Sequence, residues 1–255
     1  MRRKLFLSTC YLLLATFFIS GCATIYNPAT EKKEFILIDT DSEVALGKVI
    51  SKQIELQYPL SKDTEKIKRL NLIGEKIAQV CDRHDLRYYF KVVKDEELNA
   101  FSLPGGFVYV NSGLMNKATD DELACVVGHE IGHIAARHAA KKLQVSLGYQ
   151  LIMSLAFQNA SSLELGRAVN TVFGLISLGY SREDERLSDK LAVRYAVRAN
   201  FNPEAMVSFF EKLREVEKKK GANYHLVFLE SHPAIEERIA NVRQEILRIR
   251  CSATN

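Results

Sequence analysis

The chain has 255 residues, 47% of them hydrophobic and 26% charged, so it is long enough for one well-packed domain and is not disordered by composition. The formal charge of +4 includes Arg2, Arg3 and Lys4 in a segment expected to be removed. What remains carries +4 − 3 = +1, too little for an electrostatic footprint on phosphate, and nucleic acid is excluded as a partner.

Residues 1–21 have the parts of an export signal: a basic start at Arg2-Arg3-Lys4, an apolar run from Leu5 to Ile19, and a region of small residues. Its end, Ile19-Ser20-Gly21-Cys22, resembles a bacterial lipobox, in which Cys22 is diacylated and becomes the mature N-terminus. A plain secretory peptide and an uncleaved anchor helix are the alternatives. Ala23, rather than Asp, follows the cysteine, and by resemblance to the bacterial sorting rule this favours the outer membrane. Of the other cysteines, Cys10 leaves with the signal and Cys125 reads as a small buried residue, while a Cys81–Cys251 disulfide is chemically allowed in an oxidising periplasm.

Residues 22–41, with Pro28, Thr30 and a short charge cluster, read as a tether, and the folded domain is expected over 42–251. Apolar positions Val44, Leu46, Val49, Ile50, Ile54 and Leu56 predict a helix stopped by Pro59. A second, over about 63–81, buries Ile67, Leu70, Ile73, Ile77 and Val80. Strands are predicted over 86–93 and 106–110, with the turn residues Pro104-Gly105 between them and the intervening stretch read as a loop or hairpin connection.

Thr119 and Glu122 fit a capping box, and the helix they start is expected to run to about Leu143. The apolar stretches 145–157 and 163–180 read as a helical hairpin beside the site; they are short for membrane spans and are interrupted by Gln150, Arg167 and Asn170. Asn202-Pro203-Glu204 starts a helix that Gly221 ends, and a last helix is expected from about Pro233 to Ile249.

The chemistry centres on His129-Glu130-Ile131-Gly132-His133. On a helix, His129 and His133 stack on one face and reach the same metal ion, with Glu130 able to act as general base on a zinc-bound water. A catalytic zinc usually takes three protein ligands, and Glu185 can supply the third. Asp189, four residues on, can then accept a hydrogen bond from the outer nitrogen of a ligand histidine. Glu183 competes for the ligand role but has Leu187 one turn later in place of an acid. Ordinary ion pairing at a charged helix start is the plain reading of the same stretch.

The motifs Asn99-Ala100-Phe101-Ser102-Leu103-Pro104-Gly105-Gly106, the HExxH segment, Ser181-Arg182 with Glu185 and Asp189, and Ser231-His232-Pro233 with Arg238 occur in order. Together they resemble the HtpX-like zinc metallopeptidases, a family that includes the CAAX prenyl endopeptidases, and its periplasmic lipoprotein branch in particular. Ser188 stands where the family usually has alanine. The resemblance implies an α+β, mainly helical gluzincin fold with a small sheet beside the active-site helix, and one zinc per chain. It implies that the edge strand of that sheet holds an extended substrate, expected at Phe107, Val108, Tyr109 and Val110. It implies that His232 is a removable fourth ligand that keeps the enzyme latent; donation to an oxyanion and capping of the last helix are the alternatives. Arg238 is expected either at the transition state or as a loop anchor, and His84, His138 and His225 as structural or surface residues. The implied activity is that of a metalloendopeptidase degrading misfolded or misassembled cell-envelope proteins from a lipid anchor on the periplasmic face of the outer membrane. The alternative is a zinc-stabilised assembly or binding factor with little proteolysis.

Overall fold

The computed structural model describes residues 24–147, 152, 154, 170–175, 178–220, 228, 232 and 235–253. The export signal, Cys22, most of the 145–169 stretch, Gly221, His225, Ser231 and Pro233 lie outside the described residues.

The fold is mainly helical with two small sheets. It begins with a hairpin, β1 (Thr24–Asn27) and β2 (Lys32–Phe35), in antiparallel register. This corrects the expectation of a loose tether: Asn27, Ala29, Ile36 and Ile38 are buried, so the segment is folded onto the domain. Helix α1 (Thr40–Gln57) follows, capped by the Asp39 carboxylate accepting from Ser42 N at 2.8 Å, and α2 (Thr64–Val80) is capped by Asp63. The stripe Leu70, Ile73 and Ile77 faces inward, each fully buried side chain contributing roughly 1.5–3 kcal/mol.

The second sheet has β3 (Tyr89–Val93), β4 (Ala100–Leu103) and β5 (Phe107–Asn111) in the order β3-β5-β4, with β5 parallel to β3 and antiparallel to β4. Strand β5 is therefore central and paired on both sides. The expectation that Phe107, Val108, Tyr109 and Val110 form a substrate edge is overturned, because their backbone groups are spent on two neighbours. The edge strand toward the HExxH helix is β4, which lay in the stretch read as a connection. Gly105 and Gly106 make the turn between β4 and β5 at φ of 77° and 97°, a region that side chains with a Cβ avoid.

After a short α3 (Ser112–Lys117) comes α4 (Asp120–Ala135), whose Thr119–Glu122 capping box is formed in both directions. The helix expected to continue to Leu143 instead breaks at Ala136-Arg137. Arg137 takes a left-handed φ of 57°, and a new helix, α5 (His138–Leu147), begins. The carboxylate of Glu43, the carbonyl of Ile38 and the hydroxyl of Thr40 hold the Arg137 guanidinium there. Helices α6 (Arg182–Arg198), α7 (Ala205–Lys220) and α8 (Ile235–Ala253) follow among the described residues.

Apolar residues lie on both faces of β5. Val108 and Val110 join the core formed by α2, α4, α6, α7 and α8, while Phe107 and Tyr109 join a second core with Leu46, Ile50 and Ile54 of α1. Helix α4 is buried along nearly its whole length, and Gly132 lets it approach α6: a Cβ there would lie 3.2 Å from the Cα of Ser188. That close packing sets the HExxH face against the acidic face of α6. Cys81 is buried with its thiol on the Arg83 carbonyl and is free, so the pairing with Cys251 is not made. Among the described residues no helix is long and apolar enough to cross a membrane.

Candidate metal centre

His129 and His133 project from one face of α4, Glu185 from the first turn of α6, and His232 from the segment before α8. One ligating atom from each of the four lies within 4.8 Å of every other, and all four residues are buried. The Nε2 atoms of His129 and His133 are 3.0 Å apart. Glu185 Oε2 is 3.4 Å from the first and Glu185 Oε1 is 3.3 Å from the second. His232 Nδ1 is 2.9 Å from Glu185 Oε1 and 3.3 Å from His129 Nε2.

The surroundings assign the tautomers. His129 Nδ1 is 2.8 Å from the Asp189 carboxylate and so carries a proton, which turns its Nε2 inward toward the cluster. Asp189 is buried and held by two hydrogen bonds from Arg238, of 2.6 and 2.8 Å. Burial opposes its charge, but the Arg238 guanidinium outweighs that and lowers its pKa. Arg238 also donates to the His232 carbonyl at 3.2 Å, so it anchors the His232 segment and fixes Asp189 at once.

His133 has a partner that sequence reasoning missed. Its outer Nδ1 is 2.9 Å from Nδ1 of His138, and Nε2 of His138 is 3.2 Å from Asp184. One tautomer set satisfies every contact: Nδ1–H of His133 donates to Nδ1 of His138, whose Nε2–H donates to Asp184. Burial lowers the pKa of both His133 and His138 to about 3, keeping them neutral. Asp184 is itself fixed as the N3 residue of the Ser181 capping box at the start of α6. Tyr180 stacks on the His133 ring with centroids 4.2 Å apart.

Two imidazole Nε2 atoms and a carboxylate therefore converge on one buried point, with His232 Nδ1 2.9 Å and the Arg238 guanidinium 3.3 Å from the Glu185 carboxylate, a donor set that fits a metal ion. Burial opposes the charge of Glu185, but His232, His129 and His133 outweigh it and hold the group ionised. Beside the cluster, Glu130 accepts from the Ser102 hydroxyl of β4 at 2.8 Å. Its Oε1 is buried without a hydrogen-bond partner, an acceptor facing the same space. His232 Nε2 stands 3.6 Å from that oxygen. Glu183, the competitor for the ligand role, is not among the clustered residues, and His84 is exposed.

The sequence pattern of peptidase family M48 matches residues 64–246. The chain is 28% identical over 226 residues to the mitochondrial metalloendopeptidase OMA1 of Schizosaccharomyces pombe, covering 86% of this chain and 65% of that protein. It is 26% identical over 220 residues to the beta-barrel assembly-enhancing protease of Escherichia coli K12, covering 82% of this chain and 44% of that protein. Metalloprotease LoiP of the same bacterium is 28% identical over 187 residues, 72% of each chain. The chain thus spans less than two thirds of the length of the first two relatives.

Proposed function

Because the chain belongs to peptidase family M48, a metallopeptidase family, we propose that it is a zinc-dependent endopeptidase in which His129, His133 and Glu185 hold the ion and Glu130 is the catalytic base. The observation that carries this reading is the convergence of the four ligating atoms within 4.8 Å beside the unpartnered Oε1 of Glu130. Three nitrogen and oxygen donors of this kind are the set catalytic zinc sites use.

When bound, the ion supplies a Lewis acid that polarises the scissile carbonyl and acidifies a water molecule. Glu130, steadied by Ser102, takes the proton of that water and returns it to the leaving amine. Strand β4 lies at the sheet edge and carries Ser102, so an extended substrate pairing with its backbone would bring a peptide bond to Glu130. Backbone pairing accounts for tolerance of many sequences, as digestion of misfolded or misassembled envelope proteins requires. The relatives named as the beta-barrel assembly-enhancing protease and LoiP, with the lipobox at Cys22, support a lipid-anchored location on the periplasmic face of the outer membrane. The ordered hairpin of residues 24–35 is then part of the domain.

We read His232 as a removable fourth ligand, and the latch reading is supported by its 2.9 Å contact with Glu185. The same closure favours a second reading, a zinc-stabilised assembly factor that binds partners without cutting them. Cleavage of casein that stops with a chelator and returns with zinc, in the native chain or in His232→Ala, separates the two. Glu130→Gln is the direct test of the main reading: it keeps stoichiometric zinc and loses peptide cleavage, whereas a Gln variant that still cuts would sink the assignment.

A further inference from the structure

We propose that the outer face of the N-terminal hairpin is a membrane-docking surface that lies on an anionic lipid bilayer and sets the orientation of the domain; this rests on the reading of Cys22 as a lipid anchor. In the register of the hairpin, Thr24 pairs with Phe35 and Tyr26 with Lys33, so these four residues share one face. That face is turned outward. Tyr26 is 61% and Phe35 59% exposed, while Asn27, Ile36 and Ile38 of the opposite parity are buried. The alternation carries the outer row on to Leu37, which is also exposed.

The patch continues onto α5. Gln144 accepts from Leu37 N at 2.7 Å and donates to the Phe35 carbonyl, which joins α5 to the row at the residue preceding the 85% exposed Val145. An aromatic and aliphatic row open to water needs an occupant, and two observations select a bilayer. The first is reach. Only Ala23 separates Cys22 from β1, so with acyl chains on Cys22 the start of the hairpin stands no more than about 7 Å from the lipid interface. The second is charge. Glu31 is paired with Arg194 and Glu34 with Lys141, both on the body of the domain. Lys33 on the outer face and Lys32, of the opposite parity at the turn end, are exposed and have no ion-pair partner among the described residues, so the unneutralised charge at the hairpin is positive. Tyrosine and phenylalanine seated at headgroup depth, with Lys33 on the same face and Lys32 at the turn beside it, is the composition that holds a surface segment on anionic lipid. A diacyl anchor already retains the protein; the face adds a fixed orientation.

The chain contains no tryptophan, so one introduced tryptophan is an unambiguous reporter. The full lipoprotein carrying Phe35→Trp is purified and reconstituted into phosphatidylethanolamine–phosphatidylglycerol vesicles with or without brominated acyl chains. Leu72→Trp is the control. Leu72 is exposed on α2 one turn beyond Arg69, which binds Ala118 and Asp120 at the start of α4, a helix length away from α5. The expected result is a blue shift and at least a twofold loss of emission in brominated vesicles for Phe35→Trp, with Leu72→Trp unchanged. Intact mass separates the two readings. A chain without acyl mass on Cys22 overturns the anchor and the proposal with it. An acylated chain whose Phe35→Trp emission is not quenched, or is quenched no more than the control, overturns the docking face alone.

Discussion

Arg238 grips Asp189 through two hydrogen bonds of 2.6 and 2.8 Å, with both side chains buried. The same guanidinium donates to the His232 carbonyl at 3.2 Å and lies 3.3 Å from Glu185 Oε2, so it touches both the loop and the cluster. Arg238→Ala strands a buried carboxylate, and breaking a buried pair from one side costs roughly 3–5 kcal/mol. Urea unfolding of the metal-free chain should show a loss of that size. Arg238→Lys, which keeps the charge but not the fork, should recover only part of it. A loss below about 1 kcal/mol, the range of exposed pairs, would mean that Asp189 does not depend on Arg238.

His138 should matter to the metal although it is not one of the four clustered residues. Removing a partner that orients a ligand histidine typically costs about 10- to 100-fold in metal affinity. His138→Ala is expected to weaken zinc by that factor in competition with a chromophoric chelator, and Asp184→Asn, which leaves a weaker acceptor, by less. Circular dichroism distinguishes this from unfolding. An unchanged zinc affinity in a folded His138→Ala chain would show that Tyr180 stacking alone orients His133.

The HExxH spacing, the Thr119 capping box and the Glu185–Asp189 pair were legible because each is a local pattern on a single helix. His138 was not. On an unbroken helix a residue five positions after His133 points about 140° away from it, and only the break at Ala136-Arg137 returns it to the same site. That break depends on Glu43, Ile38 and Thr40, contacts no local pattern announces. The strand error had a readable signal: Phe107-Val108-Tyr109-Val110 is continuously apolar, the mark of a strand covered on both faces. The hairpin has no strand signature in sequence because its strands are four residues long and the second opens on two lysines, and only packing on the domain secures them.

Glu43 is expected to be a stability residue of the first rank. Its carboxylate receives Arg83 at 3.0 and 2.7 Å and lies 3.2 Å from Arg137. Glu43→Gln keeps the shape but leaves two buried guanidinium groups short of a counter-charge, at a cost of roughly 3–5 kcal/mol. Glu55→Gln, which loosens the more exposed pair with Lys91 (26% exposed on each side), should cost less than about 1 kcal/mol. Comparable losses for the two in urea denaturation would refute the distinction.

Zinc binding should release a proton, and the surroundings of His129 fix the sign of the pH dependence. Burial and the Arg238 charge lower the pKa of His129, but the hydrogen bonds to Asp189 and Glu185 outweigh them and raise it to about 9 in the metal-free chain. Below that pH the imidazole holds a second proton on Nε2, the nitrogen that faces the cluster. A metal must displace it. Apparent zinc affinity is therefore expected to rise about tenfold per pH unit from pH 7 toward 9 and to level off above, with close to one proton released per zinc in weakly buffered solution at pH 7.5. His133, held neutral by burial, adds no second proton. Affinity that stays flat between pH 7 and 9, with no proton released, would mean that Nε2 of His129 is already bare and that Asp189 serves only to aim the ring.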